Sequence, residues 1–198
     1  YATAHLALIR RARLVAGEKV VILGAAGGAG LAAVEVAKAV GATVIAVARG
    51  KDRLKVARES GADITIDSTR TDFIDTLYTH TPYHVVYDAV GGAEGTAAAR
   101  RLQPEGRHLL IGFASGDHPT LKPNHLLVKN IDVIGFNISA YPKMNAQSIK
   151  DSLATLLSWH AKDKIRPHIG HTYPLAQANV ALDLLRNRQA TGKIVVTP

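Results

Sequence analysis

Along this chain, short unbroken apolar runs alternate with stretches in which apolar residues recur every three or four positions. Lys19–Leu23, Thr43–Ala48 and His84–Tyr87 are rich in β-branched residues and end at glycine or polar turns. Such runs are strands covered on both faces, because an open face would place polar residues at alternate positions. Ile64–Ile66, Arg107–Gly112 and Ile131–Phe136 add three more. Between them lie helical patterns: an Ala-rich stretch closed by Gly41, Lys51–Ser60 closed by Gly61, Thr71–Thr79 and Ala93–Leu102. Glycine ends a helix at low cost, since the left-handed cap conformation penalises any Cβ. A leading helix over residues 1–15 precedes them all, with Leu6 and Leu14 among its spaced apolar positions. Six strands alternating with helices of about ten residues predict an α/β fold, a doubly wound parallel six-stranded sheet with helices on both faces.

After residue 140 the pattern changes. Ala146–Ala161 is a helix with Ile149, Leu153, Leu156 and Leu157 on one face; a strand His168–Tyr173, a helix Leu175–Arg188 and a strand Lys193–Val196 follow. These segments do not extend the sheet. The expected division is therefore a nucleotide-binding domain over residues 1–140, and a tail over 141–198 that returns toward a domain outside this chain. The chain opens at Tyr1, without Met and already in helical register, so it is expected to be a piece of something longer.

The candidate chemistry lies in the connection Gly24-Ala25-Ala26-Gly27-Gly28-Ala29-Gly30, between the first strand and the Ala-rich helix. The first turn of a helix has unpaired N–H groups and the positive end of the helix dipole, which together make an anion site. Gly27 and Gly28 let the backbone approach a ligand, Gly24 permits the tight turn, and Gly30 lets the helix pack on its strand. This is the Rossmann-type arrangement that holds a dinucleotide pyrophosphate. The second strand then exits as Ala48-Arg49-Gly50-Lys51-Asp52-Arg53. An acid at that point would bind a ribose 2′-hydroxyl and repel a 2′-phosphate, whereas guanidinium groups fork onto phosphate oxygens. The cluster Arg49, Lys51 and Arg53 therefore predicts NADPH; a solvated helix start is the plainer alternative.

Composition narrows the classes. With 198 residues, 47% hydrophobic and 20% charged, the chain has ample material for a packed core, which excludes disorder. No window approaches the ~18 apolar residues of a membrane span, and the N-terminus lacks signal-peptide order, so a cytoplasmic protein off the membrane is expected. The absence of cysteine excludes disulfides and thiolate metal sites within these residues. A net charge of +8 suits anionic ligands, a nucleotide phosphate or RNA, although the basic residues are scattered as on a solubilising surface.

Four stretches, in order, resemble the zinc-independent quinone oxidoreductases, relatives of zeta-crystallin among the medium-chain dehydrogenase/reductases. They are Tyr1-Ala2-Thr3-Ala4, the turn Gly24–Gly30, Val86-Tyr87-Asp88-Ala89-Val90-Gly91-Gly92, and Gly192-Lys193-Ile194-Val195-Val196. The resemblance implies that Gly27, Gly28 and Ala29 bind the pyrophosphate through backbone. It also implies that Arg53 takes the 2′-phosphate with Arg49 and Lys51 in support, and that Asp88, Ala89, Val90, Ile111, Gly112 and Phe113 flank the nicotinamide. Ser68 stands where many members have a Tyr. A GroES-like catalytic domain ahead of Tyr1, hydride transfer to a quinone or α,β-unsaturated carbonyl, and a homodimer joined through edge strand 131–136 are implied as well.

No general acid stands out, so the catalytic residues are unassigned. His168 and His171 lie three apart in an expected strand and face opposite sides, which makes them poor joint metal ligands, and no metal site is expected. Trp159 and Tyr173 read as packing residues. Three other functions compete: an enoyl reductase, a zinc-type alcohol dehydrogenase whose thiolate ligand would precede Tyr1, and a non-catalytic nucleotide- or RNA-binding module. At 5% aromatic the chain shows no stacking cluster of the kind RNA readers use, which places RNA last. Short-chain reductases are set aside because no Tyr is followed by the Tyr-x-x-x-Lys spacing.

Overall fold

The computed structural model describes the whole chain, Tyr1–Pro198. Helix α1 (Ala2–His5) continues as a π-helical turn, Leu6–Arg11, so the single helix expected over residues 1–15 is shorter and wider. Leu6, Ala7 and Leu8 are consecutive and all buried, and Ala12 N donates to Ala7 O at 2.9 Å, the i→i+5 bond of a π turn. A wider turn rotates less per residue and keeps all three on the core side.

Strand β1 (Lys19–Leu23) leads through the glycine turn into α2 (Gly28–Val40), and β2 (Thr43–Ala48) into α3 (Lys51–Glu59). Next come β3 (Ile64–Asp67), α4 (Phe73–Tyr78), β4 (Tyr83–Asp88), α5 (Gly92–Arg100), β5 (Leu102–Leu110), α6 (Pro123–Lys129) and β6 (Asp132–Gly135). All six strands are parallel, in the order β3-β2-β1-β4-β5-β6. The unbroken apolar runs are explained by two cores, one on each face. Val20 and Ile22 enter the core that includes Leu31 and Val34 of α2, while Val21 and Leu23 enter the core with Phe73 and Leu77 of α4.

The strand order reverses beside β1, and ligands in open sheets bind in the crevice beyond the carboxyl ends at such a point. Register places Leu23 level with both Val47 and Asp88, and Asp88 level with Leu110. The turns after β1, β2, β4 and β5 therefore form a single rim.

Two further elements depart from the sequence reading. Strand β5 stops at Leu110 rather than residue 112, because Ile111 N and Gly112 N both turn onto the Asp88 carbonyl at 2.8 and 3.2 Å. Its pairing with β4 also jumps from Tyr83↔Leu102 to Val85↔Arg107, with Glu105 at φ 61° in the bulge. Helix α6, which begins with Pro at its first position, has no counterpart in the periodicity, since none of its residues is buried.

The tail comprises α7 (Tyr141–Met144), α8 (Ala146–Ala161), β7 (Ile169–Pro174), α9 (Ala178–Arg186) and β8 (Lys193–Thr197). Strands β7 and β8 make a separate two-stranded parallel sheet, as the sequence reading expects of segments that do not extend the main one. Tyr141, Leu156 and Ile165 join the larger core, so its packing runs past residue 140. Ser152 Oγ lies 3.0 Å from His5 Nδ1, and Trp159 meets the His5 ring edge-on at 5.4 Å. Another clasp ties the segment before β1 to β5: Arg107 forks onto Glu18 at 2.7 and 2.8 Å and donates to Ala12 O at 2.8 Å.

Candidate cofactor-binding site

The site is built on the turn after β1. Gly24 has φ +72°, and a Cβ there would stand 3.1 Å from Val90 Cγ2, so only glycine turns the chain this tightly. A Cβ on Gly30 would meet backbone, at 2.7 Å from Ala25 Cα, which is why α2 can start directly against its own turn. Helix α2 has no side-chain cap, and its first backbone bond runs from Leu31 N to Gly27 O at 2.9 Å. The amides of the preceding helical residues are thus free to meet an anion.

From the tail, Gly192 N donates to Ala26 O at 2.9 Å and bridges to Gly27, bringing residues 185–192 over the turn. Between this flap and the strand ends lies a cavity of about 460 Å³. Arg49, Arg53 and Arg188 line it together with Gly24, Gly27 and Gly28; Ser68, Val90, Glu94 and Ser115 are also in the wall. Its volume is in the range of small-molecule sites.

Local chemistry places the arginines. Gly50, at φ +78°, donates its amide to Asp67 Oδ1 at 2.9 Å, which fixes the bend between β2 and α3. That amide and the Thr69 donors hold the Asp67 carboxyl below its usual range. Arg53 donates to Arg49 O at 3.4 Å and to Arg188 O, tying α3 to the tail across 135 residues of sequence. Three guanidinium-bearing residues, from the bend after β2, from α3 and from the turn after α9, thus meet, with no acid at the end of β2. The wall contains a single carboxylate, Glu94 on α5. Burial pushes its proton affinity up, while the Ser68 hydroxyl and Arg49 pull the other way.

Of the residues singled out from sequence, Gly27, Gly28, Arg49, Arg53 and Val90 line the cavity. Ala29 lies one residue further along α2, exposed, and Lys51 is exposed at the start of α3, away from the wall. Asp88 is wholly buried beneath the rim: Oδ1 accepts from Val90 N at 2.9 Å and Gly91 N at 2.7 Å, and Oδ2 lies 3.1 Å from His108 Nε2. Its carboxylate shapes the turn that presents Val90. Ala89, Ile111 and Gly112 form the adjoining backbone rim, where Ala89 O accepts from Ala114 N at 3.2 Å. Phe113 is 41% exposed and stacks on His118 at 4.3 Å.

Sequence reasoning missed Arg188, Leu185, Ala190 and Glu94. Only the Gly192-Lys193 motif hinted that the tail returns to this turn. No group of three or more His, Cys, Asp or Glu side chains is arranged to hold a metal ion.

Comparison with known proteins agrees with this geometry. The family model described as zinc-binding dehydrogenase matches residues 28–157. Quinone oxidoreductase-like protein 2 homolog of Nematostella vectensis is 35% identical over 99% of this chain and 55% of its own length. The chain thus spans about half the length of the curated relatives it matches. The quinone oxidoreductase of Thermus thermophilus, solved alone and with NADPH, superposes with a TM-score of 0.87 at 30% identity, over 100% of this chain and 63% of that one. An NAD-dependent alcohol dehydrogenase superposes nearly as well, with a TM-score of 0.86 at 25% identity over 100% of this chain and 56% of that one, so the fold alone does not select the coenzyme. On the family match, the fold and the whole-length similarity to quinone oxidoreductases, the chain belongs to the zinc-binding dehydrogenases, as a nucleotide-binding domain of the medium-chain dehydrogenase/reductase superfamily.

Proposed function

We propose that this chain is the coenzyme-binding domain of an NADPH-dependent oxidoreductase that reduces a quinone or an α,β-unsaturated carbonyl. The observation that carries the reading is the meeting of Arg49, Arg53 and Arg188 in one cavity with the uncapped start of α2. The residues present fit the group: backbone amides of Gly28 and Ala29 for the diphosphate, guanidinium forks for the 2′-phosphate, and glycines wherever a Cβ would obstruct. When bound, the reduced nicotinamide supplies a hydride. The chain's own work is to hold the adenosine end, to fix the rim through Asp88, and to keep Val90 and the strand ends apolar beside the ring.

The acceptor site needs walls from a second domain. The exposed apolar residues Leu153 and Leu157 of α8 and Leu182 of α9 offer a surface for one, in keeping with relatives nearly twice this chain's length. Edge strand β6 pairs only with β5 and exposes Val133, which supports a homodimer through residues 131–136. Sedimentation showing only monomer at micromolar concentration would count against it. No helix is long and apolar enough to cross a membrane. A cytoplasmic location remains part of the proposal.

The activity is tested by following NADPH oxidation by the intact protein with quinones, enones and simple aldehydes. Turnover with either of the first two classes is expected. Turnover with aldehydes alone would move the chain to the alcohol dehydrogenase reading.

A further inference from the structure

The cavity wall contains one acid, in company with three arginines. Glu94 projects from the first turn of α5 into the wall that also includes Arg49, Arg53, Arg188 and Ser68. It is half-buried, and no cation comes within ion-pairing distance of its carboxylate. The Ser68 hydroxyl and the more distant Arg49 face it, with Asp88 beneath on the β4 end. The positive end of α5 favours a negative charge at this position, so the sequence can keep an acid here without a partner.

We propose that Glu94 sets coenzyme selectivity at the adenosine end, its carboxylate repelling a 2′-phosphate held by the arginines of the same wall and so narrowing the preference for NADPH over NADH. The inference rests on the coenzyme reading above. Like charges in a partly dry cavity repel more strongly than in water, and the repulsion falls with distance. A 2′-phosphate held by the arginines of this wall is repelled by Glu94, whereas a bare 2′-hydroxyl has no charge to repel. Arg53 and Arg188 outnumber the acid, so NADPH still binds. Nothing in the arrangement makes selectivity absolute, and the site is tuned toward tolerating both coenzymes.

The test is calorimetric titration of the intact protein and of Glu94→Gln and Glu94→Ala with NADPH, NADH, 2′,5′-ADP and 5′-AMP, near pH 8, where the phosphate is fully ionised (its second pKa is about 6). Thermal melts confirm that each variant is folded. Both variants should bind NADPH and 2′,5′-ADP about five- to tenfold more tightly, with NADH and 5′-AMP changed by no more than about twofold. Unchanged or weaker 2′,5′-ADP binding would overturn the proposal while leaving the coenzyme reading intact. Loss of all four ligands in the variants would make Glu94 a contact for the adenosine itself, which also overturns it. A wild-type protein that binds none of the four would remove the coenzyme reading and this inference together.

Discussion

Replacing Asp88 separates a residue that builds the site from one that touches the ligand. Its carboxylate is wholly buried and accepts from two turn amides at 2.9 and 2.7 Å, with His108 Nε2 at 3.1 Å. Since Nε2 faces a carboxylate, it carries the proton, which leaves His108 Nδ1 as a buried atom without a partner. Asp88→Ala deletes all three bonds and strands the two amides and the ring; at about 1.5 kcal/mol for each bond to a charged acceptor, the cost is about 4.5 kcal/mol. Asp88→Asn keeps an acceptor for the amides, and its amide can donate to Nε2 once the ring proton moves to Nδ1. The expected cost is then only about 1–2 kcal/mol, the charge-assisted part. Urea unfolding by circular dichroism reads these values, and titration with NADPH reads the site. Because the carboxylate does not line the cavity, Asp88→Asn should hold NADPH affinity within about threefold. An Asn variant as stable as wild type but with affinity down by more than tenfold would refute the reasoning, as would an Ala variant that loses less than about 1 kcal/mol.

Two further perturbations follow from packing and charge. Gly30→Ala would set a Cβ 2.7 Å from Ala25 Cα, a backbone atom that cannot step aside, so destabilisation of about 3 kcal/mol together with weaker NADPH binding is expected; a variant of wild-type stability would show that α2 can shift freely. Burial alone would raise the Glu18 carboxyl, but Arg107 and the Val15 amide draw it below its ordinary value. A depressed carboxylate contributes stability above its unfolded pKa and loses it as pH falls through the folded one. Acid unfolding followed below about pH 4.5 should therefore show a flatter arm in Glu18→Gln, and an unchanged arm would remove this pair from the acid response.

How much was legible in the sequence depended on whether the signal was local. The strands β1, β2 and β4 declared themselves because both faces are buried, so no polar residue interrupts them. The anion turn was legible because Gly24 and Gly30 each answer a steric demand within a few residues. Arg49 and Arg53 follow directly from the strand before them. Arg188 did not, since the tail is brought back by contacts of Gly192 with Ala26 and Gly27 and by the Arg53 bond to Arg188 O, and such long-range contacts leave no periodic trace. The role of Asp88 was obscured for a related reason: a carboxylate at a strand end looks the same in sequence whether it meets a ligand or the amides of its own turn. Helix α6 was invisible because an exposed helix without a buried stripe has no hydrophobic pattern.

The central claim, that arginines gathered from separate elements recognise a 2′-phosphate, is tested most directly by titrating wild type and the Arg49→Ala/Arg53→Ala variant with NADPH and NADH side by side. Loss of roughly 2–4 kcal/mol for NADPH with NADH nearly unchanged is the predicted result. Equal losses for the two coenzymes, or none for either, would contradict it.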